Sequence, residues 1–146
     1  PGKLTGSMAI IFGRKGLISV DYEYQDYSNA ELRPASDPNF SAENQFIASA
    51  LGGVSTVRLG GEYRLGRLSL RAGYRYQQSP FNDNDLWGDL QGYSAGLGYA
   101  WGPNRIDLSY ARSQQDTSAL LYDGGLSEIG VDRVTNYIGL GYTLQF

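Results

Sequence analysis

The chain has no cysteine, no histidine and a single methionine. Without cysteine there is neither a disulfide framework nor a thiolate metal site. Without histidine as well, the commonest general base and the thiolate nucleophile are both missing, so no enzymatic role and no cofactor are expected. Ser109 and Asp107 share a face two residues apart, but no base stands between them. Long apolar runs are also lacking. The longest, Met8 to Phe12, is short, mean hydropathy is −0.36, and nothing approaches the ~20 apolar residues of a membrane helix. Any membrane crossing must therefore be made by strands. Nor is there a basic excess. A net charge of −3 and a pI near 4.8 leave no positive stripe to neutralise phosphates, which argues against nucleic acid as a partner.

What is plentiful is glycine, at 20 residues, and tyrosine, at 12 of 146. Membrane barrels use small residues in their lumens and aromatic residues in their interfacial girdles. The last ten residues show how the two are deployed. Ile138, Leu140, Tyr142, Leu144 and Phe146 fall on one face of a strand. Tyr137, Gly139, Gly141, Thr143 and Gln145 fall on the other, because successive side chains point to opposite faces. Seven such segments are predicted, at 4–12, 17–25, 57–65, 68–77, 93–101, 105–113 and 134–146. Each matches the roughly nine to eleven residues that a tilted membrane strand requires.

The two faces differ in kind. The apolar face carries Tyr22, Tyr24, Tyr63, Tyr74, Tyr76, Tyr99, Trp101 and Tyr110 near strand ends, where an amphipathic ring prefers the headgroup region. The polar face carries charges of both signs, Asp21, Glu23, Glu62 and Asp107 against Arg58, Arg64, Arg71 and Arg75. Apolar residues toward lipid and a paired polar network toward a wet lumen describe an all-β, transmembrane antiparallel β-barrel, with the lipid bilayer as its first partner. A soluble barrel shares the periodicity but keeps its apolar face inward. The charged ladder reads first as structure that holds the wall. A second reading has one or two of the arginines steering a carboxylate substrate.

Connections alternate in length. Arg14-Lys15, Gly66-Arg67 and Gly102-Pro103-Asn104 are tight turns, whereas links of roughly 28–54, 79–91 and 114–132 are long. Outer-membrane barrels have short periplasmic turns and long extracellular loops. With Phe146 at the periplasmic end, the seventh strand runs inward, and counting back places the start of the first strand outside. Single-chain bacterial barrels have even strand numbers. The seven strands are therefore expected to be part of a larger barrel, with the remainder upstream on the same or a companion chain. Pro1-Gly2-Lys3 enters the pattern directly, as a processed or truncated start would.

Two link segments carry their own signals. Ser41 as a capping residue, with Phe46, Ile47 and Leu51 at helical spacing before Gly52-Gly53, predicts a short helix in the first link. In the second, Asn82, Asp83, Asn84, Asp85 and Asp89 offer oxygen atoms at calcium-like spacing, without the glutamate that closes an EF-hand, so a solvated acidic loop is expected. Phe81 and Trp87 in the same link are expected to anchor at the interface, or else to meet an apolar ligand at the mouth.

The stretches L-I-S-V-D-Y-E-Y-Q-D-Y (17–27), V-R-L-G-G-E-Y-R-L (57–65), L-S-L-R-A-G-Y-R-Y-Q-Q-S-P-F (68–81) and Y-S-A-G-L-G-Y (93–99), in that order and spacing, resemble the C-terminal half of the FadL/TodX-type outer-membrane transport proteins. The resemblance runs over essentially the whole chain and implies the second half of a 14-stranded barrel in the outer membrane of a Gram-negative bacterium. It implies passive uptake of hydrophobic small molecules, long-chain fatty acids or aromatic hydrocarbons, with such a hydrophobic ligand as partner. It also implies that Tyr142, Leu144 and Phe146 form the C-terminal signal read by the barrel-assembly machinery. The hatch, its polar tip motif and the kinked exit strand belong to the family's N-terminal half, so no transport residue is carried over to this sequence. Some similar barrels serve secretion systems instead. The alternative expectation is therefore a non-transporting, structural or secretion-accessory barrel whose loops dock a partner protein.

Overall fold

Alternating sequence becomes strand at every one of the seven predicted places. The computed structural model describes residues 2–35, 37–82, 87–120 and 128–145. The strands are β1 (Lys3–Phe12), β2 (Gly16–Asp26), β3 (Gly53–Leu65), β4 (Leu68–Gln77), β5 (Trp87–Trp101), β6 (Asn104–Leu120) and β7 (Glu128–Leu144). They form one sheet in sequence order, each strand antiparallel to the next. The sheet is open, with β1 and β7 at its edges. Six antiparallel steps separate these edges, so β1 and β7 run in the same direction.

Tight turns set the register at one end. Leu65 pairs with Leu68 and Trp101 with Asn104, leaving two-residue connections whose first residues, Gly66 and Gly102, have φ of 60° and 55°. Positive φ at the first central position alone is the type II′ geometry, whose twist matches that of the flanking strands. Pro103 follows Gly102, where its fixed negative φ is what that turn needs.

Four strands begin or end four or more residues beyond the predicted alternation. β5 begins at Trp87 rather than 93, β6 continues to Leu120, and β7 begins at Glu128. Much of the expected links 79–91 and 114–132 is therefore ladder, with Ser113 to Leu120 paired against Glu128 to Thr135. The reason is physical. Beyond an apolar band both faces of a strand meet water, so apolar alternation fades while backbone pairing continues. β3 likewise starts at Gly53, ahead of the predicted 57.

The first link is long, as expected, and holds a 3-10 turn, Pro38–Phe40, followed by the helix α1 (Ser41–Ala50). The cap differs from the prediction. Asp37 caps the 3-10 turn by accepting from the Asn39 amide at 3.0 Å, and α1 starts after Phe40 with no side-chain cap, Ser41 being already helical. The helix ends before Leu51, which turns extended to bridge Phe81. The Gly52 amide donates to Pro80 O at 2.9 Å, and Asn82 donates its amide to Ala50 O and its side chain to Ser49 O at 2.8 and 2.9 Å. These bonds clamp the end of α1 onto the β4–β5 link.

Among the described residues the sheet is a single layer without a core. Among the described residues Val54, 3% exposed, is the only buried hydrophobic side chain.

Candidate functional site

The apolar face of this sheet is the more exposed of the two. Ile138 and Leu140 on β7 are 80% and 75% exposed, and Leu97 and Leu108 on interior strands 46% and 51%. Register places Leu70, Leu97, Leu108 and Leu140 in one row across four strands. Every aromatic residue predicted for this face occupies it, and together they sort into two bands. Tyr63, Tyr99, Trp101 and Tyr142 lie toward the short turns, with Tyr99 and Trp101 stacked at 5.9 Å. Tyr22, Tyr24, Tyr74, Tyr76 and Tyr110 lie toward the long links, and Tyr93 joins them by packing on Tyr74 at 5.3 Å. Tyr24 is eight residues along β2 from Gly16, the partner of Tyr63. For a strand tilted about 40° that is roughly 20 Å of height, close to the ~25 Å apolar band of outer-membrane barrels.

The polar face carries a chain of ion pairs. Arg64 pairs with Glu62 at 2.5 Å, Glu62 with Arg71 at 3.0 Å, Arg71 with Asp107 at 2.9 Å, and Asp107 with Arg105 at 2.7 Å. Glu62 and Arg71 are direct cross-strand partners. Arg71 and Asp107 are not: they stand on β4 and β6, with β5 between them. The contact crosses β5 where it is glycine. The Arg71 side chain lies over Gly96, and a Cβ on Gly98 would sit 2.5 Å from the Asp107 carboxylate and 2.6 Å from the Arg105 guanidinium. A second group, nearer the long links, joins Lys3 and Arg58 to Glu23 at 2.9 and 3.2 Å.

The network differs from the expected ladder in its membership. Asp21 is the register partner of Arg58, yet Arg58 turns to Glu23, and among the described residues Asp21 makes no ion pair. Arg75 stands directly opposite Arg58 and donates to Gln77 rather than to an acid. Like charges face to face on adjacent strands repel, and the pull of Glu23 draws Arg58 toward β2. Arg105 and Lys3 are members that sequence reasoning missed. Arg105 was signalled by its same-face spacing to Asp107; Lys3, opposite Gln25, had no such signal. A shallow groove of about 460 Å³ lies beside Arg58 and Arg75, floored by Gly73, Gly92 and Ser94 and bordered by Tyr137.

Near the long links, Asp89 accepts from Tyr76 Oη at 2.5 Å and from the Ser79 amide at 2.8 Å. Phe81 and Trp87 meet with ring centroids 6.3 Å apart. A bulge between Trp87 and Leu90 brings Trp87 opposite Thr117, a polar-face position, so its register differs from that of the apolar-face aromatics. Asp83 and Asp85 of the calcium-like spacing lie outside the described residues, as does Phe146. Tyr142 and Leu144 occupy the apolar face of β7 opposite Ile106 and Asn104.

Comparison with protein-family models, curated proteins and solved structures finds no match for the chain.

Proposed function

We propose that this sheet is part of the wall of an outer-membrane β-barrel through which hydrophobic small molecules, long-chain fatty acids or aromatic hydrocarbons, pass without energy input. The observation that carries the reading is the inversion of the two faces. A continuous apolar surface between two aromatic bands is the more exposed face, and the opposite face is polar and ion-paired. Left in water, that apolar surface would cost about 25 cal/mol for each Å²; against lipid tails it costs nothing. The resemblance to FadL/TodX-type transporters supplies the substrate class. In this reading the chain is inserted by the barrel-assembly machinery, and an odd number of further strands closes the wall between the parallel edges β1 and β7. The role is conduction rather than catalysis.

A second reading has one specific observation in its favour. The first link is a built layer rather than a loose loop, clamped through Asn82 to the neighbouring link, and it presents Leu32 and Phe46 to solvent. Such a surface suits a docking barrel that serves a partner protein.

Vesicles carrying the complete barrel separate the two. Transport predicts faster entry of a fluorescent long-chain fatty acid than into empty vesicles, and slower entry after Ser94→Trp, which raises the floor of the polar-face groove. Unchanged entry in both cases, with a solid polar interior and a protein seated on the long links, would overturn transport in favour of docking.

A further inference from the structure

We infer that the short-turn end of the sheet binds the headgroups of anionic phospholipids, and that Arg67 is the centre of this surface on β4 and β5. The inference rests on the membrane-wall reading and adds a lipid partner to it.

Charge is distributed unevenly along the strand axis. Six of the twelve Lys and Arg residues lie within four positions of a short turn: Arg14, Lys15, Arg64, Arg67, Arg71 and Arg105. Of the fifteen acids only Glu62 and Asp107 do so. That end has a formal charge of +4, although the whole chain carries −3. Three of the six cations are committed, because Arg64, Arg71 and Arg105 hold Glu62 and Asp107 in the ion-pair chain. The turn residues Arg14, Lys15 and Arg67 are exposed and make no side-chain ion pair or hydrogen bond among the described residues.

Their place relative to the aromatic band selects the occupant. The Ala100 amide donates to Arg67 O at 2.9 Å, and Leu68 is the partner of Tyr99. The backbone of Arg67 therefore lies against Ala100, between the stacked Tyr99 and Trp101 in sequence, and that of Lys15 lies against Arg64, next in sequence to Tyr63, because the Arg64 amide donates to Lys15 O. Aromatic rings settle at the level of the lipid carbonyls and headgroups, and an arginine one turn beyond them reaches the phosphate layer. A phosphodiester carrying a net negative charge is favoured there over a zwitterionic one, since the zwitterion brings its own cation. Arg14 and Lys15 also border a depression of about 440 Å³ on the polar face, together with Arg64, Ile11 and Leu17. Arg67 lies outside that depression, in the exposed turn between β3 and β4.

The chain's two tryptophans make the test direct. Trp101 is on the apolar face and follows Ala100, the backbone partner of Arg67, and Trp87 is at the other end of β5 in polar-face register. The complete barrel bearing Trp87→Phe is reconstituted in phosphatidylcholine vesicles containing a minor share of phosphatidylglycerol, and the signal of a Trp87→Phe/Trp101→Phe control is subtracted so that Trp101 alone is read. Bromine is placed on one lipid or the other, and quenching of Trp101 is read. Brominated phosphatidylglycerol is expected to quench about two- to five-fold more than its mole fraction predicts. The excess should vanish at high salt and in Arg67→Glu, and persist in Arg33→Glu at the long-link end. Quenching by brominated phosphatidylcholine reports insertion of every variant; if Arg67→Glu fails to insert, Arg67→Gln carries the comparison. Quenching in proportion to mole fraction in the unaltered protein, or an excess that survives loss of Arg67, overturns the inference. A Trp101 quenched by neither lipid overturns the membrane-wall reading itself.

Discussion

Arg71 and Asp107 form an ion pair at 2.9 Å although a whole strand separates them. Adjacent strands lie about 4.8 Å apart, so the two backbones are roughly 10 Å from each other. Bridging that gap takes a long side chain such as arginine and a strand without side chains at that level to leave the path open. Gly96 and Gly98 on β5 supply it.

Gly98→Val is therefore expected to destabilise the protein by about 1–3 kcal/mol, although valine suits a strand better than glycine. Its Cβ would displace the Asp107 carboxylate and the Arg105 guanidinium. Gly61→Val is the control. It adds the same side chain on the apolar face, where a Cβ meets nothing nearer than 3.7 Å, and should be neutral or stabilising. Denaturant unfolding of the membrane-reconstituted protein checks both, and equal effects would remove the clearance role of Gly98.

Glu62 and Arg71 should couple weakly. The pair is partly exposed on a face read as wet, where ion pairs contribute roughly 0.2–1 kcal/mol. A double-mutant cycle with Glu62→Gln and Arg71→Gln measures this term, which is expected to shrink toward zero in molar salt. Coupling of several kcal/mol, insensitive to salt, would mean that the polar face is sealed from water.

Leu140→Arg tests which face meets lipid. At mid-height on the apolar face it is expected to cost ~2–4 kcal/mol. Ser109→Arg lies at the same height on the polar face, opposite Gly139, and should cost less than about 1 kcal/mol. The reverse order would invert the assignment of inside and outside.

Asn82→Ala should loosen the first link. It removes the side-chain bond to Ser49 O and leaves the backbone bond to Ala50 O. Limited proteolysis is expected to cut faster within residues 27–52 while the strands stay resistant. Unchanged cleavage would show that the backbone bonds and the Leu51–Phe81 bridge suffice.

Much of this architecture is legible in the sequence because strand periodicity is a local property. Ile138, Leu140, Tyr142 and Leu144 announce their face by spacing alone, and Gly66 and Gly102 mark their turns because few other residues adopt a positive φ. The polar ends of β6 and β7 were not legible. Gln114, Gln115, Asp116 and Asp132 carry no apolar alternation, so only their pairing with the neighbouring strand marks them as ladder. Trp87 misleads for a related reason: one bulged residue reverses its face, and nothing in its immediate neighbours records the shift.

The sequence by itself determined the two faces, the seven strands and the alternation of short turns with long links, since these follow from side-chain period and turn chemistry. Only the tertiary structure decided which charges meet. Asp21 is aligned with Arg58 and loses it to Glu23, whereas Arg71 passes over a glycine strand to reach Asp107. Long flexible side chains choose partners by what the space between strands allows, and that space is set jointly by residues that sequence order keeps apart.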